Sequence, residues 1–160
     1  MKSPFFSLRP SATRLLIALI TFASLGLGSA RATEPSRREY IDPRSNVGDP
    51  RAFSAAVRVG DTLYLSGHIA LTPAKKVPDT AEGEARLLLD QFQATLASAG
   101  MTMDDLVMVQ ILCSDLSLYG TFNQIYRTYF KQEFPARAFL GTNQLLYNAR
   151  FEILGVAVKR

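Results

Sequence analysis

The residues of this chain best suited to chemistry stand near its carboxyl end. Phe134-Pro135-Ala136-Arg137 sets an arginine just past a proline, at the start of an apolar segment. Arginine is a planar, permanently charged fork that grips a carboxylate through two parallel contacts. The closing run Arg150-Phe151-Glu152-Ile153-Leu154-Gly155-Val156-Ala157-Val158 is an apolar strand whose one acid is Glu152. An acid beside a bound carboxylate can activate water against the group that the arginine holds. Arg137 and Glu152 are therefore the first candidates for binding and for catalysis.

Other chemistry has little to draw on. His68 is the one histidine and Cys113 the one cysteine. A His/Cys metal site lacks ligands, a Ser-His-Asp triad has a single possible base, and no intrachain disulfide can form. No metal and no cofactor are expected. His68 titrates near working pH and follows Ser66-Gly67, which makes it a candidate replacement base; the duller reading is a histidine hydrogen-bonded at a strand end. Cys113 lies in an apolar strand and reads as packing. Asn123 divides evenly between a ligand contact and a satisfied loop carbonyl.

These side chains need a scaffold, and hydrophobic periodicity supplies one. Residues 55–59 and 62–66 alternate about Gly60-Asp61, a two-residue hairpin turn. Asp79, answered by Glu82 as in a capping box, opens a helix whose stripe is Ala85, Leu88, Leu89, Phe92 and Leu96, and Gly100 stops it. Residues 106–113 form a strand with Val107, Val109, Ile111 and Cys113 on one face and Met108, Gln110 and Leu112 on the other. A second helix starts near Ser117 and buries Phe122, Ile125, Tyr126, Tyr129 and Phe130. Strands at 136–141 and 151–158 close the order β-β-α-β-α-β-β. Two helices cover only one face of such a sheet, and an apolar second face is an association surface. We expect other subunits to bury it, most simply in a closed ring.

The amino terminus has a different character. Lys2, Arg9 and Arg14 precede an apolar run at 15–28, and Ala30-Arg31-Ala32 offers small residues where a signal peptidase reads. The run is shorter than the roughly 20 apolar residues a bilayer needs, so residues 1–32 are expected to be a cleaved export signal and the protein periplasmic. Residues 33–50 read as a linker or extended lead-in, and 51–160 as one domain. The formal charge of +4 belongs to the signal: its loss removes four of 18 basic residues and none of 14 acids. No basic stripe remains to recommend nucleic acid or another polyanion.

Across residues 53–158 the pattern resembles the Rid family, the reactive-intermediate deaminases also called YjgF-like proteins. The likeness rests on Val59-Gly60-Asp61 leading to Ser66-Gly67, a helix ending Ala99-Gly100, and Asp104-Asp105-Leu106-Val107. Asp115-Leu116, Phe122-Asn123-Gln124-Ile125-Tyr126, Tyr129-Phe130, Phe134-Pro135-Ala136-Arg137 and the final strand follow in order. The resemblance implies an α+β, chorismate-mutase-like mixed sheet with two helices on one face. It also implies a homotrimer around a central barrel, with ligand clefts between subunits. The implied activity is hydrolysis of 2-imino acids to 2-keto acids with release of ammonia. On this chain Arg137 would hold the substrate carboxylate with help from the backbone of Gly67, and Ser66, Asn123 and Ala138 would line the cleft.

Three positions depart from the family pattern. Phe53 stands where deaminases carry a tyrosine, Phe139 replaces a cysteine, and Leu154 takes the place of the glutamate that positions water. Leucine cannot orient water or move a proton. Glu152 points to the same side of the strand as Leu154, about 6.6 Å along it. Phe53 and Phe139 make a drier cleft and suggest a ligand with a carboxylate and an apolar or aromatic side chain. The readings that follow are an exported deaminase of small carboxylated imines, a trimer that binds 2-keto or 2-amino acids without turnover, or an interaction or chaperone-like protein.

Overall fold

A computed structural model describes residues 37–42 and 52–160. The expected export signal and most of the lead-in lie outside the described residues. The chain forms strands β1 (Arg38–Ile41), β2 (Ala56–Val59) and β3 (Thr62–Ile69), helix α1 (Ala81–Ser98), strand β4 (Leu106–Cys113), helix α2 (Tyr119–Tyr126), and strands β5 (Ala136–Gly141) and β6 (Phe151–Val158). The strands make one six-stranded sheet in the order β1-β2-β3-β6-β4-β5. Among the described strands only β4 and β5 run parallel. A parallel pair needs a crossover rather than a hairpin, and α2 provides it.

Local chemistry explains most element ends. Gly60 turns the β2–β3 hairpin with a positive φ of 60°. The start of α1 falls one residue later than the sequence suggests: Thr80, not Asp79, is the cap, and its Oγ1 accepts from the Gly83 N–H at 3.1 Å. Thr80 has the extended backbone from which a short hydroxyl reaches the third helical amide. Asp115 likewise caps the turn before α2, accepting from the Ser117 N–H at 2.9 Å. One strand was hidden in the polar lead-in: β1 pairs antiparallel with β2 at the sheet edge, where a single apolar residue, Ile41, reaches the core.

The core lies between the helices and one sheet face. Ala85, Leu88, Leu89, Phe92 and Leu96 are all fully buried, as their spacing predicts. They meet Leu63, Val109, Ile111, Phe151 and Ile153. Strand β4 departs from simple alternation. Its pairing with β6 shifts between Leu106 and Met108, so Leu106 turns into the core and Val107, expected beside Val109, is 48% exposed.

Among the described residues no helix covers the opposite face. Cross-strand registers align Val57, Tyr64, Val156, Met108 and Ala136 in one row across it. Tyr64 is 52% and Met108 41% exposed, so apolar side chains meet solvent where the sequence called for a second cover.

One buried polar group ties the layers together. Glu84 of α1 is wholly buried. Its carboxylate accepts from the backbone N–H groups of Arg150 (2.6 Å) and Phe151 (3.0 Å) and from the Arg150 guanidinium (2.8 Å). Arg150 also donates to the carbonyls of Pro78 and Asp79. The first residue of β6 is thereby pinned to the first turn of α1, which sets where Glu152 and Leu154 fall.

Candidate functional site

Arg137 stands second in β5, opposite Val109 of β4. Pro135 holds Phe134 in extended backbone and so fixes where the strand begins. Because Val109 faces the core, Arg137 also projects to the helix side, at the sheet edge beside α2. Its guanidinium carbon lies 4.7 Å from the centre of the Tyr126 ring, 5.9 Å from Tyr119 and 5.8 Å from Phe139. Rings hold a cation through their negative faces without occupying its N–H groups. Among the described residues no carboxylate pairs with Arg137. Its charge is cradled and not cancelled.

A cavity of about 250 Å³ opens beside this group, lined among others by Tyr119, Asn123, Arg127 and Phe134. Tyr119, Asn123 and Arg127 recur every four residues, which puts them on one side of α2 and its last turn. Asn123 is 9% exposed, and its side-chain amide has no partner among the described residues. The Tyr126 hydroxyl is buried without a hydrogen-bond partner among the described residues. Burial pushes its pKa up to about 12 against the opposing pull of Arg137, so the phenol stays protonated. Phe139 does not line the cavity; it packs edge-on against Tyr119 and Phe122. The drier wall expected of it is spent inside the aromatic cluster.

The other candidates gather on the open face. The pairing of β3 with β6 slips between Leu65 and His68, so Ser66 and Gly67 together oppose Leu154 in a bulge. Ser66 Oγ donates to the Ser54 carbonyl at 2.7 Å, and Phe53 nearby in sequence is largely exposed. Ala138 pairs with Gln110, one row from Glu152. The Glu152 carboxylate rests on the Gly67 backbone: a Cβ at Gly67 would overlap its Oε1. Glu152 also lines a cavity of about 480 Å³ with Gln144, Tyr147 and Asn148. Tyr147 and Asn148 there hold left-handed backbone, at φ of 59° and 54°. Burial pushes the Glu152 carboxyl above its ordinary range.

His68 is not an available base. It points to the helix side and is 3% exposed, with Nδ1 donating to the Ser66 carbonyl (2.8 Å) and Nε2 paired with Thr95 Oγ1 (3.0 Å). Its ring stands edge-on to Phe92. The bulge shifts the strand's alternation by one residue and turns the imidazole inward. Cys113 is buried, donates to the Asp115 carbonyl, and has its thiol pKa raised by burial.

Within one chain, then, the candidates form two groups. Arg137 and Asn123 open on the helix side of the β5 edge, while Gly67, Leu154 and Glu152 lie on the uncovered face. The row through Arg137 reaches β6 at Gly155, so strand alternation sends Leu154 and Glu152 the opposite way. Tyr119, Tyr126 and Arg127 join the site beyond the expected residues, Tyr126 having been expected only to pack, and their spacing from Asn123 is the signal for them in the sequence. Sequence reasoning passed over Glu84, whose burial only the tertiary fold reveals.

A six-stranded mixed sheet carrying two helices on one face, with a cradled arginine at its parallel edge, defines the class. Residues 47–159 match the sequence profile of the endoribonuclease L-PSP family. The chain belongs to this family, also known as YjgF/Rid. It is 36% identical over 109 residues to the mouse protein named 2-iminobutanoate/2-iminopropanoate deaminase, covering 67% of this chain and 81% of the relative. The human protein of that name is 35% identical over 124 residues, covering 76% and 90%. Among solved structures, the YyfA protein of the Rid family from Yersinia pestis matches with a TM-score of 0.71 and 29% identity, over 76% of this chain and 99% of that one.

Proposed function

We propose that this protein hydrolyses small 2-imino acids to 2-keto acids and ammonia, in clefts completed by a second copy of the chain. The observation that carries this reading is Arg137: a guanidinium on three rings, with no acid against it among the described residues, open to a cavity of about 250 Å³. A fixed, uncompensated guanidinium is a carboxylate receptor. The names of the mammalian relatives supply the reaction.

In this reading Arg137 and Asn123 of one subunit face Ser66, Gly67 and Glu152 of the next. The uncovered sheet face becomes the seam of a homotrimer. With Leu154 opposite the bulge, the carboxyl serving the reaction is Glu152. In its acid form it protonates the imine nitrogen, which makes the carbon electrophilic. As carboxylate it then takes a proton from the attacking water. The carbinolamine so formed loses ammonia as the C–N bond breaks and the carbonyl closes. The basic start, apolar run and Ala30-Arg31-Ala32 of residues 1–32 support a periplasmic setting for this activity.

The test is a coupled assay in which an amino-acid oxidase generates imino acids and semicarbazone formation reports those that escape hydrolysis. Added protein should suppress the semicarbazone, and Arg137→Ala should restore it. Sedimentation should give a trimer. A second reading, capture of 2-keto or 2-amino acids without turnover, is favoured by Leu154, which removes a carboxylate from the spot facing Ser66 and Gly67. Semicarbazone formation at the buffer rate, together with Arg137-dependent heats of 2-oxobutyrate binding, would select it. The expected loss of binding free energy in Arg137→Ala is that of a charge-assisted contact, about 1.5–3 kcal/mol.

A further inference from the structure

Among the described residues, the lining of the cavity beside Arg137 holds two arginines and no acid. Arg127, in the turn that ends α2, shares its lining with Arg137 and Asn123. Neither arginine has a carboxylate partner among the described residues, and the Asn123 amide in the same lining has no hydrogen-bond partner among them. Two like charges facing one cavity repel, an anion bound between them offsets that repulsion, and both disfavour a cationic guest. A cation at a helix carboxyl end is favourable for its own sake, which would account for Arg127 alone. It does not account for a second arginine, Arg137, in the same lining, nor for the absence of any acid there among the described residues.

We infer that the ligand carries two acidic groups: a short 2-imino or 2-keto dicarboxylate, with its first carboxylate on Arg137 and its second on Arg127. The inference rests on the reading of Arg137 as the carboxylate anchor and names the substrate class for that same site. Asn123, both donor and acceptor, is placed to meet the imine nitrogen or keto oxygen between the two ends. The Tyr119 and Phe134 rings give the intervening methylene groups apolar walls. A cavity this small suits a compact metabolite rather than a drug-sized ligand. The apolar substrate side chain suggested by Phe53 and Phe139 is not supported here, because neither residue lines this cavity.

Calorimetry with 2-oxobutyrate and 2-oxoglutarate tests this. The native protein should bind the dicarboxylate about tenfold more tightly, the usual worth of one added charge-assisted contact. That ratio should shrink as salt rises and screens the exposed Arg127. Arg127→Gln should bring the ratio to within about twofold, and Arg127→Lys should keep part of it, a graded response that a purely structural arginine would not give. A native ratio near one overturns the inference, as does a ratio that survives in Arg127→Gln. If Arg137→Ala abolishes binding while the native ratio is one, only the dicarboxylate inference falls. If the native protein binds neither acid, the Arg137 anchor falls and takes the inference with it.

Discussion

The Arg137 guanidinium carbon lies 4.7 Å from the centre of the Tyr126 ring, and the Tyr126 hydroxyl is buried with no partner among the described residues. Ring and hydroxyl thus do separable things. The ring holds the cation, while the hydroxyl is a desolvated donor that costs stability.

Tyr126→Phe keeps the ring and removes the orphan donor. It should leave the protein at least as stable as native, by urea denaturation, and preserve 2-oxobutyrate binding. Tyr126→Leu removes the cation–π contact, worth about 0.5–2 kcal/mol, and should weaken Kd by roughly 2- to 30-fold. Equal affinities for the two variants would show that the ring does not position Arg137.

Glu84 offers a test of how β6 is fixed. Glu84→Ala leaves two backbone N–H groups of the Arg150–Phe151 segment without their acceptor and strands the Arg150 charge. A broken buried pair costs about 3–5 kcal/mol, and the midpoint of urea unfolding should fall accordingly. Glu84→Gln retains one acceptor and should cost less. A loss below about 1 kcal/mol in Glu84→Ala would be within the range of an ordinary surface pair and would refute the pin.

Glu152 and Gly67 make a paired prediction. The folded pKa of Glu152 lies above its ordinary 4.5 because burial disfavours the charge. The native state therefore binds the proton more tightly than the unfolded chain. This contribution to stability is fully present below the unfolded pKa and is lost as pH rises through the folded pKa. Thermal melts of Glu152→Gln and native protein should diverge from about pH 4.5 upward, the variant gaining relative to native. Gly67→Ala inserts a methyl group where Glu152 Oε1 lies. It should push the carboxylate into solvent and reduce that divergence. Parallel melting curves across pH would show that Glu152 is not desolvated.

Much of the scaffold was legible because it follows from local chemistry. The stripe from Ala85 to Leu96 could only be the buried side of a helix, and Gly60-Asp61 could only be a tight turn between alternating segments. What escaped were effects set by partners distant in sequence. Strand β1 has one inward apolar residue and exists because β2 offers it an edge. Val107 left its expected face because the β4–β6 pairing slips, and His68 turned inward because the β3–β6 pairing does. No window of the sequence encodes a slip between two strands.

The sequence by itself determined the family, the helical stripes, and the presence of an arginine after a proline with a leucine where a glutamate would be expected. Only the tertiary structure decided that Arg137 sits on rings instead of against an acid, that Arg127 shares its cavity, and that Glu152 lies on Gly67 across the opposite face. Residue type and spacing fix what a side chain can do. Which groups meet depends on strand register and on crossing the sheet, and those are settled when distant segments pack.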